Sequence, residues 1–102
     1  MKSILFDEAR LEMLEAAQFY EFQVAGLGRQ FLDAIERATA DIEQYPRRWP
    51  AITRQVRRRL VGRFPYGVLY GIVRGKVIVI AIMHLHRHPR YWTKRLGKLG
   101  EI

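Results

Sequence analysis

The 102-residue chain contains no cysteine. Disulfides and thiolate chemistry are therefore excluded, which suits a reducing compartment. Long apolar stretches are also missing. The longest, Val77 to Met83, is far shorter than the roughly 20 residues a helix needs to cross a bilayer. Asp7 and Glu8 follow the first apolar residues too closely for a signal peptide. The expectation is a soluble, cytoplasmic chain with no membrane partner. Acidic residues nearly vanish after position 45. Residues 1–45 hold four Lys and Arg against nine Asp and Glu, a balance of −5, whereas residues 46–102 hold fourteen against one, a balance of +13. A basic half this uneven points to a polyanionic partner, either nucleic acid or an acidic protein segment. Most of these cations are arginines, whose planar fork suits bidentate contacts to carboxylate or phosphate.

At this length the chain is one domain, residues 1–102, with material for one modest core. Ser3 to Phe6 reads as an edge strand. Asp7 is a candidate N-cap, with Glu8 favoured by the helix dipole in the first turn. Ala9, Met13, Ala16, Ala17, Tyr20 and Val24 recur at helical spacing and predict a helix from Glu8 to about Gln23. Gly26-Leu27-Gly28 breaks it. Leu27, Phe31, Ile35, Ala38, Ile42 and Tyr45 then predict a second helix, from Gly28 to Gln44, stopped by Pro46. The short glycine-rich link makes the two an antiparallel hairpin. From Arg54 the period changes to two, with Val56, Arg58 and Leu60 on one face and Arg57, Arg59 and Val61 on the other. Tyr66 to Val73 is rich in strand formers, Arg74-Gly75 makes a tight turn, and Val77 to His84 is apolar on both faces, as in a central strand. A short terminal helix or ordered tail follows Pro89. The order β-α-α-β-β-β predicts an α+β domain, with the helical hairpin packed on a small, curved, mostly antiparallel sheet.

Several constellations are candidates for function. Arg54, Arg57, Arg58, Arg59 and Arg63 form a cationic strand. Charge on an edge strand blocks sheet-to-sheet pairing, but three consecutive arginines exceed that need and suit phosphate or an acidic segment. Alternation sets one group toward the partner and the other near the helices. His84, His86 and His88 would share one face of an extended strand, a spacing compatible with metal ligation. No carboxylate lies nearby in sequence, and Arg87 and Arg90 would repel a cation, so neither a metal nor any other cofactor is expected. Tyr66, Val68 and Tyr70 read as core. Trp49, Tyr91 and Trp92 lie beside basic residues and could stack on bases, anchor a tail or form a protein hot spot. No Ser/His/Asp set, phosphate-cradling glycine loop or zinc spacing stands out. Gly26-Leu27-Gly28 follows a helix rather than a strand, so it is a turn and not a dinucleotide fingerprint.

Nearly the whole chain resembles the RelE/ParE superfamily of type II toxin–antitoxin toxins. The matching features run from Ala16-Ala17-Gln18-Phe19-Tyr20-Glu21 and Gly26-Leu27-Gly28-Arg29-Gln30-Phe31 through Ile42 to Pro50. They continue with Arg63-Phe64-Pro65-Tyr66 to Tyr70, then Ala81-Ile82-Met83-His84, Arg87-His88-Pro89-Arg90-Tyr91-Trp92 and Arg95. The resemblance implies one of two activities. RelE-like members cut messenger RNA in the ribosomal A site with Lys, Arg and Tyr side chains; for that activity Arg58, Arg87 and Tyr91 are the candidate catalytic residues. ParE-like members share the fold but poison DNA gyrase without cutting RNA. The ribonuclease branch typically carries an arginine directly after the tyrosine that opens the third strand, where this chain has Gly67 in Tyr66-Gly67-Val68-Leu69-Tyr70. Losing that cation removes stabilisation of the phosphate transition state, and the reading leans to ParE. The resemblance also implies a cognate acidic antitoxin that folds onto the basic sheet, with operator DNA reached only through it. The candidate surface for antitoxin or target is Arg54, Arg57, Arg58, Arg59, Arg63, His86, Arg87, Arg90, Tyr91 and Trp92. A plain basic nucleic-acid-binding module is the non-toxin alternative.

Overall fold

A computed structural model describes all 102 residues. The elements are β1 (Ser3–Leu5), α1 (Asp7–Gln23), α2 (Leu27–Gln44), β2 (Arg57–Val61), β3 (Tyr66–Val73), β4 (Lys76–His84) and a 3-10 helix (Thr93–Glu101). The expected α+β order is present. The cap at the start of α1 differs from expectation. Phe6 holds the cap position with extended backbone and Asp7 is already the first helical residue, without a side-chain cap. The acidic pair Asp7 and Glu8 still occupies the first turn, where the dipole favours negative charge.

Helix α2 buries Phe31, Ala34, Ile35, Ala38 and Ile42, the stripe its three- and four-residue spacing dictates. The buried residues of α1 are small, Ala9, Ala16 and Ala17, which lets the two helices approach closely. Val24, expected at the end of that stripe, is exposed, because α1 has already ended and the chain turns away. Gly26 adopts φ +87, a left-handed conformation open to glycine. Glu21 closes the turn, its carboxylate accepting the backbone N–H groups of Gly26 and Gly28 at 2.9 and 3.0 Å. These are donors at the start of α2 with no partner in their own helix. Gly28 serves a second purpose. A Cβ there would stand 2.5 Å from the carbonyl oxygen of Ala17, so the helix crossing requires its absence.

The sheet order is β1-β4-β3-β2. Strand β1 runs parallel to β4, with Ser3 opposite Val77 and Leu5 opposite Val79, while β4–β3 and β3–β2 are antiparallel. Strand β4 is therefore central, and its residues Val77 to Met83 are all buried. Arg74 and Gly75, with φ of 50 and 76, form the tight hairpin turn whose twist matches the flanking strands. Tyr20, Phe31, Phe64 and Tyr66 meet in edge-on and tilted ring contacts between the helices and β3. Tyr70 is buried and donates its hydroxyl to the Pro46 carbonyl at 2.6 Å. No helix is long and apolar enough to cross a membrane.

Substituting Gly28→Ala should lower unfolding stability by about 1–3 kcal/mol, the usual cost of forcing a methyl into a filled contact. Gly62→Ala, where an added Cβ meets nothing within 4 Å, should change it by no more than ~0.5 kcal/mol. Urea denaturation of the two variants beside the parent chain measures the difference.

Candidate functional site

Alternation along β2 divides its arginines by task. Arg57 and Arg59 turn toward the helix layer. The Arg57 guanidinium donates to the carbonyls of Trp49 at 2.7 Å and Arg47 at 3.2 Å, pinning the loop that leads into the strand. Arg59 pairs with Asp41 of α2 and lies 5.2 Å from the Trp49 ring centroid. Arg63, at φ 74, reaches Gln30 at 3.0 Å. These three are occupied within the chain. Arg58 projects from the opposite face and has no acidic partner. Its stem lies against Gly67, where an added Cβ would come 3.2 Å from the Arg58 Cγ and Cδ. Arg54 is exposed in the preceding loop. The cationic strand is thus not one uniform surface. Arg54 and Arg58 are its available members.

The second group gathers where β4 ends. The strand stops at His84, whose Nδ1 accepts the backbone N–H of His86 at 3.0 Å. His88 accepts from the N–H of Arg90 in the same way, at 3.2 Å. The three histidines therefore lie in a turn rather than along one strand face: β4 ends at His84, and the His84 and His88 rings each accept the backbone N–H two residues on. No group of three His, Asp or Glu side chains has the geometry to hold a metal ion. His86, Arg87 and Arg90 are exposed. Trp92, expected on the binding surface, is 1% exposed. Its indole N–H donates to the Pro89 carbonyl at 2.8 Å, and its ring belongs to the core.

A residue that sequence reading missed organises this group. Glu12 of α1 receives both forks of Arg95, at 2.9 and 3.0 Å, the Tyr91 hydroxyl at 2.6 Å and the backbone N–H of Ile82 at 3.1 Å. Arg87 reaches the same carboxylate at 3.5 Å and stacks 3.7 Å over the Tyr91 ring. The Glu12 and Arg95 side chains are only 14% and 15% exposed. Arg95 also donates to the Ile80 carbonyl at 3.0 Å. Burial works against the Arg95 charge, but the hydrogen bond and charge of Glu12 outweigh it and hold its pKa above the usual value. Burial first, then the bond to Glu12, pushes the Tyr91 hydroxyl well above the ordinary tyrosine range. Tyr91 is thus a neutral donor committed to Glu12. One turn earlier on α1, Glu8 pairs with Lys98, and that hydrogen bond lowers the Glu8 pKa. A sequence signal for Glu12 existed: it shares the helix face of Ala9 and Ala16, and an acid on a face that is otherwise small and buried needs a partner.

The architecture is thus two helices laid on an open, mostly antiparallel sheet, with a C-terminal segment clasped to the first helix. A solved chain described as the chromosomal ParDE toxin–antitoxin system from P. aeruginosa superposes with a TM-score of 0.62 at 13% identity, over 84% of this chain and 97% of that one. At that identity the likeness is one of fold. The sequence matches the family model of the ParE toxin of type II toxin–antitoxin systems over residues 4–89, and the chain belongs to this family. No curated protein matches it significantly.

Replacing Glu12 by Gln leaves the Arg95 charge buried without its counter-ion. Stability should fall by about 3–5 kcal/mol, read by chemical denaturation. The pH response follows from Tyr91. A phenol whose folded pKa lies above its unfolded value contributes stability that is intact below pH 10.0, the ordinary tyrosine value, and is lost as pH rises toward the folded value. Tyr91→Phe should therefore flatten the alkaline end of the stability profile, measured as melting temperature against pH.

Proposed function

We propose that this ParE-family toxin arrests growth by acting on DNA gyrase rather than by cutting RNA, and that a cognate acidic antitoxin neutralises it. The observation that carries the reading is Gly67. The ribonuclease branch has an arginine at that position; here the Arg58 stem fills the space beside a buried glycine. Two further observations support it. Tyr91 keeps its proton and donates it in a hydrogen bond to Glu12, and burial raises its pKa, so it is a poor general base near neutral pH. Arg87 lies over the Tyr91 ring and against the same carboxylate. The set Arg58, Arg87 and Tyr91 is therefore short of an arginine and largely engaged elsewhere.

An acidic antitoxin suits the strong positive charge of residues 46–102. Arg54 and Arg58 are the contacts with fewest obligations inside the fold, joined by His86 and Arg90 at the far end of the sheet.

The folded protein should inhibit gyrase supercoiling at micromolar concentration on the order of that seen for specific protein inhibitors, while message on translating ribosomes remains uncut by primer extension. Codon-positioned cuts abolished by Arg87→Ala would establish the ribonuclease reading instead. Arg54→Glu and Arg58→Glu should each slow antitoxin capture and weaken its salt dependence in stopped-flow measurements. Arg57→Glu should act mainly by destabilising the loop at Trp49.

A further inference from the structure

Where α2 ends, the chain builds a short ladder of alternating rings and guanidinium groups. Pro46 cannot continue the helix, and the turn that follows closes with the Arg48 N–H donating to the Tyr45 carbonyl at 3.0 Å. That turn lays the Arg48 guanidinium 4.4 Å from the Tyr45 ring centroid and 5.9 Å from that of Trp49. Arg59 approaches the same Trp49 ring at 5.2 Å and is itself anchored on Asp41. The contacts therefore run Arg59, Trp49, Arg48, Tyr45, from the anchored end out to solvent. Trp49 is half-buried, and its carbonyl is fixed by Arg57 at 2.7 Å. At the outer end Tyr45 is 46% exposed, and Arg47 and Arg48 are exposed beside it. A shallow recess of about 330 Å³ opens there between Gln44, Tyr45, Pro46, Arg47 and Arg48.

The inner rungs of this ladder hold the loop to the helix layer, but the outer rungs hold nothing. Neither Arg47 nor Arg48 has an acidic partner. The acids at this end of α2 are committed elsewhere, Asp41 to Arg59 and Glu43 to the Ser3 hydroxyl.

We propose that the outer end of the ladder binds an unpaired nucleotide of a nucleic-acid strand. A base stacks on the exposed Tyr45–Arg48 end, and Arg47 and the N–H edge of Arg48 meet the phosphates on either side of it. A guanidinium can do both at once, because its planar face stacks while its edge donates. An acidic protein segment would use the two charges but brings no planar face to the ring. Every base has one, and a duplex hides it between neighbours. Stacking without contacts to base edges reads no sequence, so the site accepts DNA and RNA strands alike. It is separate from the cations assigned above to the antitoxin: Arg54 lines a different cleft, with Gly71 and Leu99. It also stands apart from the choice of gyrase as target, since the purified chain alone should bind.

Fluorescence anisotropy of a labelled oligothymidylate of about six nucleotides, at roughly 50 mM salt, should give a dissociation constant on the order of 10 µM. An abasic strand of the same length, with the same phosphates and no rings, should bind about fivefold or more weakly. Tyr45→Ala should erase that difference and leave the affinity for the abasic strand within about twofold, with the melting temperature held within about 2 °C. Arg47→Ala and Arg48→Ala should each reduce the slope of log affinity against log salt by about 0.7. Arg48→Lys keeps the charge and loses the plane, so it should keep the slope and bind the base-bearing strand a few-fold more weakly. Oligouridylate should bind within about threefold of oligothymidylate. Equal affinity for base-bearing and abasic strands overturns the proposal, as does a preference for bases that survives Tyr45→Ala. Polyglutamate of matched charge that displaces the strand as well as unlabelled oligothymidylate does would assign Arg47 and Arg48 to an acidic segment and overturn it too.

Discussion

The Glu12 carboxylate is where the acidic and basic halves of the chain are joined. Four residues donate to it. It sits on α1, receives the N–H of Ile82 on β4, and holds Arg87, Tyr91 and Arg95 of the segment that follows. A buried carboxylate is costly unless its lone pairs are filled, and here they are filled by the central strand and, for the most part, by the C-terminal segment. The consequence is positional. The turn after β4 carries the histidines and Arg90, and its geometry against the sheet is set by a residue some seventy positions earlier. Lys98 and Glu8 repeat the arrangement one helical turn away at lower burial, so the tail is fastened along α1 at two points.

This fastening changes how the positive charge is understood. Composition alone presents fourteen cations over residues 46–102 as one polyanion-seeking field. The structure sorts them. Arg57, Arg59, Arg63, Arg95 and Lys98 hold loop, helix and tail in place, and what is left for a partner is a smaller set at two ends of the sheet. An arginine used this way contributes to stability through its stem and its fork together. Replacing it tests folding before it tests recognition.

Much of the architecture was legible in the sequence because it rests on local repetition. Phe31, Ile35, Ala38 and Ile42 announce one buried helix face, and Val77 to Met83 announces a strand covered on both sides. Arg74-Gly75 announces the turn between β3 and β4. The alternation of Arg57, Arg58 and Arg59 correctly gave two faces, one toward the helices. What was not legible depends on partners distant in sequence. Nothing near Glu12 names Arg95 or Tyr91. Trp92 reads as a surface aromatic among basic residues until the segment folds back and buries it. The histidine row looks like a strand face only if β4 continues past His84, which the Nδ1 bonds to backbone prevent. Asp7 has the chemistry of a cap, yet Phe6 takes that position because its ring is wanted in the core.

The parallel pairing of β1 with β4 sets an order of events. Strand β4 lies between β1 and β3, so Ser3 to Leu5 have no neighbour until residues 77–79 exist. On the ribosome, the helical hairpin would emerge early with its inner face uncovered, and the sheet would close only when its middle strand arrives, more than seventy residues after β1. Contacts of such long sequence separation form late and slowly. A growing chain of this kind keeps the inner face of its helical hairpin uncovered until its central strand arrives, so the fold closes in one late step rather than element by element.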